Sequence, residues 1–342
     1  MTALTWEHLA RPALLEIGPT MPSVQHPALT HDVAVVGGGA AGLSAAIALA
    51  RSLRSVVLVD AGNPRNAPAA GAHNVLGREG VAPLELLAAG RQEAEAYGVD
   101  IRDDSVHTVN RGEAGFDLGL RAGESLRVRR MILATGLVDE LPDVPGVQEL
   151  WGRSVLHCPY CHGWEVRGKR IGVLATSPMS VHQALLFRQL SPHVTLLLHT
   201  VDDLEAAAWE QLAALDVPVV TGVVDRLRVE SGELRAVVLA SGHEVGVDAV
   251  VVAPRFVARG DLYRQLGGEV TDHPMGGTFI ETDPMGRTPV PGVWAAGNTR
   301  DLQAMVSAAS ADGVRAGAAV NADLVAEDAA AAVAARLSAA LR

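Results

Sequence analysis

Cysteine is nearly absent from this chain of 342 residues: there are two, Cys158 and Cys161. A disulfide-stapled scaffold is excluded on that count. Aromatic side chains are scarce at 4 %, while Gly and Ala abound, which suits closely packed helix-on-sheet layers better than a β-sandwich. Positive charge is in deficit: a formal net charge of −11 argues against nucleic acid or an anionic membrane as partner. No stretch approaches the ~18 uncharged apolar residues of a membrane span. The N-terminal extension, residues 1–30, has four prolines and several charges but no basic start followed by an apolar block. It does not read as a signal peptide, so the chain is expected in the cytoplasm, where a C-x-x-C pair is more often catalytic than structural.

What is present is highly patterned. The apolar run Val33–Val36 leads into Gly37-Gly38-Gly39-Ala40-Ala41-Gly42, an alanine-rich helical stretch to about Leu53, and a second apolar run, Val56–Val59, ending on Asp60. This predicts a β-α-β unit with Gly37, Gly39 and Gly42 in the G-x-G-x-x-G places. The first glycine permits the tight turn, the second lets a pyrophosphate approach the backbone, and the third lets helix and strand pack closely. The free N–H groups of the helix start face the phosphates. Asp60 stands where an acid binds a ribose hydroxyl. Together these features predict dinucleotide binding, where a lone glycine motif would not.

Further along, Met131–Gly136 reads as a buried strand ending in the small-residue turn Ala134-Thr135-Gly136, and a proline-containing crossover follows from Leu141 to Gly146. Arg170–Ala175 opens a second β-α-β pattern, with a helix from about Ser180 to Leu190 and a strand from Val194 to Leu198. Alternation from Val217 to Val252 reads as a β-meander, and Ala253–Gly260 as the return crossover. A last strand ends at Ala295-Ala296-Gly297-Asn298, and a helix follows from about Gln303 to Val320. The fold class is therefore α/β: two Rossmann-like three-layer nucleotide-binding domains, the second inserted in the first. The boundaries are 31–146 with 256–325 for the outer domain, 147–255 for the insert, and 326–342 for a C-terminal helical tail.

Cys158-Pro159-Tyr160-Cys161 is a redox pair or half a metal site. A structural zinc needs four ligands, usually from two separated pairs, and there is no second C-x-x-C. No metal is therefore expected. His157 and His162 flank the pair and titrate near neutrality.

The order of these motifs resembles the low-molecular-weight thioredoxin reductase family over roughly residues 31–325. That resemblance implies that the outer domain binds FAD and the insert is a pyridine-nucleotide domain carrying the cysteine pair. Two departures stand out. Where the family has a glycine turn for NADPH, this chain has Ala175-Thr176-Ser177-Pro178-Met179-Ser180, whose side chains would crowd a pyrophosphate. Where the family has an arginine cluster for the 2′-phosphate, it has His199-Thr200-Val201-Asp202-Asp203, whose carboxylates repel a phosphate. The insert is thus expected to be degenerate.

This combination is similar to the FAD-dependent dithiol oxidase branch that closes disulfides in small natural products such as gliotoxin and holomycin. His162 fits that branch, since the closer reductases have Asp there. The resemblance implies a small-molecule dithiol and O2 as partners, H2O2 as product, and a homodimer. It implies Cys158 as the interchange cysteine and Cys161 beside the flavin. His162 is the first choice of general acid–base and His157 the second, unless His157 is a satisfied structural histidine. It further assigns FAD to Gly37, Gly39, Ala40, Ala41, Gly42, Asp60, Ala61, Ala134, Thr135, Gly136, Gly297 and Asn298. Arg65 and Asn66 are expected at the adenine end, His73 near the flavin or the substrate entrance, and Gln303 with Ala304 where the last helix starts. Asn298 replaces the usual Asp and still offers hydrogen bonds. Trp164 is expected in the core, with a pocket role as the alternative. The competing readings are a disulfide reductase using NADPH or another donor, and a non-catalytic flavin-binding redox sensor.

Overall fold

The computed structural model describes residues 29–177 and 179–340. The N-terminal extension up to residue 28, Pro178 of the departed glycine turn, and the last two residues lie outside it.

Short runs of β-branched residues that bury both faces belong in parallel sheets, and the first sheet is built from such runs. Five parallel strands lie in the order Asp100–Asp103, Val56–Asp60, His31–Val36, Ser125–Leu133 and Val293–Ala295. The N-terminal half of Ser125–Leu133 pairs instead with an antiparallel hairpin, Val106–Gly112 and Gly115–Leu120. One face of the sheet is covered by helix Ala40–Arg51 and the last helix, through Leu43, Leu49, Val320 and Leu324. The other is closed by Phe116, Leu118 and Leu120 of the hairpin. The result is three layers around one parallel sheet.

The last helix runs from Val306 to Ala340, starting later than the expected Gln303 and continuing through the segment read as a separate tail. No glycine or proline after Gly317 interrupts it, and alanine is the best helix former. Its far part is fastened to the sheet: Glu327 and Asp328 pair with the buried Arg129, Asp323 and Glu327 with Arg130, and Asp328 with Arg54. Its near part crosses Ala40–Arg51 at close range. A Cβ on Gly313 would stand 2.0 Å from the Ala41 carbonyl oxygen.

The second sheet is wholly parallel, in the order Val219–Val220, Val194–Leu197, Ile171–Leu174, Ala249–Val251 and Val155–Leu156. Helices Met179–Arg188 and Ala206–Ala214 cover one face through Ala184, Phe187 and Leu212. An antiparallel sheet of Val224–Glu230, Glu233–Leu239 and Glu244–Gly246 covers the other. Only the middle of the expected meander is a meander. Its ends, Val219–Val220 and Ala249–Val251, join the parallel sheet, because two- and three-residue apolar runs carry no readable period.

All strands of the second sheet fall between those the first sheet takes from residues 31–133 and 293–295. The two passages of chain pair with each other, Leu137–Glu140 antiparallel to Arg255–Ala258. Among the described residues, no helix is long and apolar enough to cross a membrane.

Candidate active site

A cleft of about 1010 Å³ opens between the sheets, and the carboxyl ends of both point into it, which is where parallel α/β sheets place ligands. The glycine turn forms one wall. Gly37 has φ +107°, and a Cβ there would meet the Ala134 carbonyl oxygen at 2.3 Å. On Gly42 a Cβ would lie 1.8 Å from the Gly37 oxygen, which fixes helix against strand. Gly39 differs: nothing lies within 4 Å of its would-be Cβ, and it lines the cleft. Helix Ala40–Arg51 has no side-chain cap on Gly39 and no acid in its first turn, so its leading N–H groups remain available to an anion. A dinucleotide pyrophosphate fits that cradle, and FAD is the cofactor it suits. Asp60 accepts from the Gly38 N–H at 2.9 Å through Oδ1 and meets Arg91 through Oδ2.

Ala40, Ala41, Ala61, Asn66, Ala134, Thr135, Gly136, Gly297, Gln303 and Ala304 also line the cleft; Gly42 sits behind it as packing. The Thr135 hydroxyl donates to the Arg259 carbonyl at 2.8 Å, and Thr299 Oγ1 accepts from the Gly136 N–H at 2.7 Å. The Asn298 amide donates to the carbonyls of Asp301 and Ala304, which an aspartate could not do. Gln303 lies in the turn before the last helix rather than in it. Arg65, expected at the adenine end, lines the cleft beside the crossover. Its guanidinium grips Asp139 bidentately at 2.8 and 2.6 Å and lies over the Phe256 ring.

Cys158 and Cys161 are joined as a disulfide, Cα–Cα 5.3 Å, and face the same cleft. Cys158 caps the short helix Pro159–His162, and the Cys161 N–H donates to its sulfur at 3.2 Å. That bond favours a thiolate on Cys158 once the pair is reduced. The turn is tied to the outer domain through Asn74, whose amide donates to the Tyr160 carbonyl at 3.0 Å. His73 lies between Glu79 at 2.7 Å and Glu165 at 3.5 Å.

His157 stacks on Phe256 with ring centroids 5.0 Å apart, and its Nδ1 is buried without a partner. Burial, helped by the Arg65 charge, pushes its pKa down to about 4. Burial also lowers the pKa of His162, against the opposing pull of Glu165, and its Nε2 is likewise buried without a partner. Trp164 is not in the core: it is 66 % exposed, with the Arg167 guanidinium over its ring.

In the insert, the residues of the two departures hydrogen-bond locally. Thr176 N–H donates to the buried Ser180 hydroxyl at 3.3 Å across the departed turn. His199 Nδ1 accepts from the Val224 N–H, and Asp203 accepts from Leu204 N–H and the Trp209 indole.

Two contributors escaped sequence reading. Asp312 is 4 % exposed and accepts from the Gly297 N–H at 2.8 Å while pairing with Arg300 and Arg315. Gln183 reaches from the insert helix to the carbonyls of His157 and Val252. Each acts on a residue remote in sequence, so no local pattern announces it.

The profile of the pyridine nucleotide-disulphide oxidoreductases matches residues 31–313. Thioredoxin reductase sirT of Leptosphaeria maculans is 33 % identical over 324 residues, 88 % of this chain and 95 % of that one. The crystal structure of HlmI is 47 % identical, with a TM-score of 0.85 over 91 % of this chain and 97 % of that one. An oxidoreductase from Agrobacterium tumefaciens is 35 % identical with a TM-score of 0.81, over 86 % of this chain and 98 % of that one.

Proposed function

The chain belongs to the pyridine nucleotide-disulphide oxidoreductase family and is a flavoprotein oxidoreductase; from that premise we propose that it is an FAD-dependent dithiol oxidase. It closes a disulfide in a small-molecule dithiol and delivers the electrons to dioxygen: R(SH)2 + O2 gives RS2 + H2O2. The observation that carries this reading is the glycine-free stretch Ala175–Ser180, with its Thr176–Ser180 hydrogen bond, beside an open cradle at Gly39. The chain keeps one dinucleotide site and lacks the glycine turn of the other, so electrons enter through the cysteines.

A substrate thiolate attacks Cys158 of the Cys158–Cys161 disulfide, forming a mixed disulfide and releasing Cys161 as a thiolate. The second substrate thiolate then attacks the substrate sulfur bound to Cys158. The product disulfide leaves and both cysteines are reduced, having gained two electrons. His162, kept neutral at pH 7 by burial, accepts a thiol proton, and Glu165 supports the imidazolium. The Cys161 N–H steadies the Cys158 thiolate. The Gly37–Gly42 turn and the start of helix Ala40–Arg51 would hold FAD, which would supply the two-electron relay between the cysteine pair and dioxygen; two electrons and two protons convert dioxygen to hydrogen peroxide.

The name thioredoxin reductase borne by sirT favours a second reading, a disulfide reductase. The internal hydrogen bonds of Ser180, His199 and Asp203 oppose it. An oxygen electrode with a peroxide assay decides between them. The oxidase forms one peroxide per dithiol oxidised, without NADPH. NADPH-driven reduction of a dithionitrobenzoate reporter with no oxygen uptake would establish the reductase.

A further inference from the structure

The cysteine pair lies in the insert and the glycine cradle in the outer domain, so their spacing depends on what fastens one to the other. Among the described residues, a single side chain of the outer domain hydrogen-bonds the segment 157–163. The Asn74 amide donates at 3.0 Å to the carbonyl of Tyr160, the residue before Cys161. Asn74 is built for that reach. Its loop is closed at the root, where the Ala72 N–H donates to the Val81 carbonyl at 2.7 Å and the Gly80 N–H to the Ala72 carbonyl at 2.9 Å. Within the loop Asn74 has φ +59°, in the left-handed region that asparagine tolerates better than most side chains. Its N–H donates to Glu79 Oε2 at 2.9 Å. Its carbonyl accepts at 2.6 Å from the hydroxyl of Ser307, in the first turn of the last helix. Glu79 also meets His73 Nδ1 at 2.7 Å, and His73 Nε2 faces Glu165, beyond the cysteine turn, at 3.5 Å. Asn74 is exposed, so it adds little to a core. An exposed residue held in a left-handed conformation, with its N–H, carbonyl and amide all engaged, instead fixes the place of the peptide it grips.

We propose that Asn74, steadied by Ser307, is a positioning residue that clasps the Cys158–Cys161 turn against the cofactor cradle and sets the rate at which electrons cross from the cysteines to FAD. The inference rests on that crossing, which the dithiol oxidase reading requires. Asn74 bonds the Tyr160 peptide rather than either sulfur. Thiol–disulfide exchange with the substrate takes place on Cys158 and Cys161, within the insert, and does not pass through the clasp. Loss of the clasp therefore slows the crossing and spares the exchange.

The test separates the two steps in the anaerobic holoenzyme. After rapid mixing with dithiothreitol, quenching in excess N-ethylmaleimide and intact mass spectrometry count the free cysteines, while absorbance follows the flavin band. Asn74→Gly keeps the left-handed backbone and deletes the amide. Its thiols should appear at the wild-type rate, and its flavin should bleach about fivefold more slowly, the factor that about 1 kcal/mol of one hydrogen bond supplies. Flavin content and melting temperature should stay at wild-type values. Asn74→Asp presents acceptors alone to the Tyr160 carbonyl and should bleach at least as slowly. Ser307→Ala leaves the amide in place but frees the Asn74 carbonyl, and should slow bleaching by about twofold. Bleaching of Asn74→Gly at the wild-type rate, or thiol appearance slowed as much as bleaching, overturns the proposal. A wild-type flavin that dithiothreitol never bleaches refutes the oxidase reading separately. The clasp is then decided by hydrogen exchange of the 159–163 peptide in the holoenzyme: faster exchange in Asn74→Gly than in the wild type supports it, and equal exchange overturns it.

Discussion

His157 is held neutral by its surroundings, and the consequence can be worked through. Its pKa falls from the ordinary 6.5 to about 4, because burial removes water from the charged form and the Arg65 guanidinium repels it. A native value below the unfolded one means that the unfolded chain takes up the proton first. Stability is therefore complete above about pH 6.5 and is lost as the pH falls toward 4. Between pH 7 and pH 4.5 this one ring costs the native state about 2–2.5 kcal/mol. His157→Phe keeps a ring against Phe256 and cannot titrate. In urea unfolding followed by circular dichroism, the variant should lose that much less stability than the wild type over the same interval. In the native enzyme, the His157 Cε1 resonance should not move between pH 8 and about 5. A resonance that titrates near 6.5, or identical pH dependence in the two proteins, refutes the reasoning. Any inflection of the rate near neutrality then belongs to another group and should persist in His157→Phe.

Other consequences follow from named contacts. Gly42→Ala drives a methyl to 1.8 Å from the Gly37 carbonyl oxygen, so the purified protein should carry little flavin, read as a collapsed ratio of absorbance at 450 to 280 nm. Gly39→Ala meets no protein atom and should fold with an unchanged melting temperature of the apoprotein while still weakening flavin retention. Cys161→Ser leaves Cys158 a lone thiol with no disulfide for a substrate thiolate to attack; the variant should retain its flavin, and an anaerobic dithiol should leave the band at about 450 nm unbleached. Asp312→Asn leaves the buried side of Arg300 without its carboxylate, and the loss should be about 3 kcal/mol or more in chemical unfolding.

The cofactor cradle was legible because its logic is local. Gly37, Gly39, Gly42 and Asp60 fall within one β-α-β unit, and each glycine answers a steric demand made by its near neighbours or by the ligand. The cysteine pair was legible for the same reason. What sequence missed acts at long range: Asp312 supports Gly297, Gln183 holds the carbonyl before Cys158, and Gly313 admits the backbone of Ala41. Trp164 was misread because a large aromatic defaults to the core. Here it lies outside, where Arg167 covers one face and water the rest. The last helix was cut short at Val320, although nothing in the alanine-rich sequence beyond stops it. The acids that anchor it, Asp323, Glu327 and Asp328, reveal their purpose only when Arg129 and Arg130 come beside them.

The direction of electron flow is the central claim, and an anaerobic titration of the yellow holoenzyme tests it most directly. One equivalent of a dithiol beyond that needed to reduce Cys158–Cys161 should bleach the flavin band at about 450 nm, with electrons entering through the cysteines. NADPH should leave the band unchanged, because the stretch Ala175–Ser180 has no glycine to admit a pyrophosphate and Asp202 and Asp203 repel a 2′-phosphate. Rapid bleaching by NADPH, with none by the dithiol, would contradict the account.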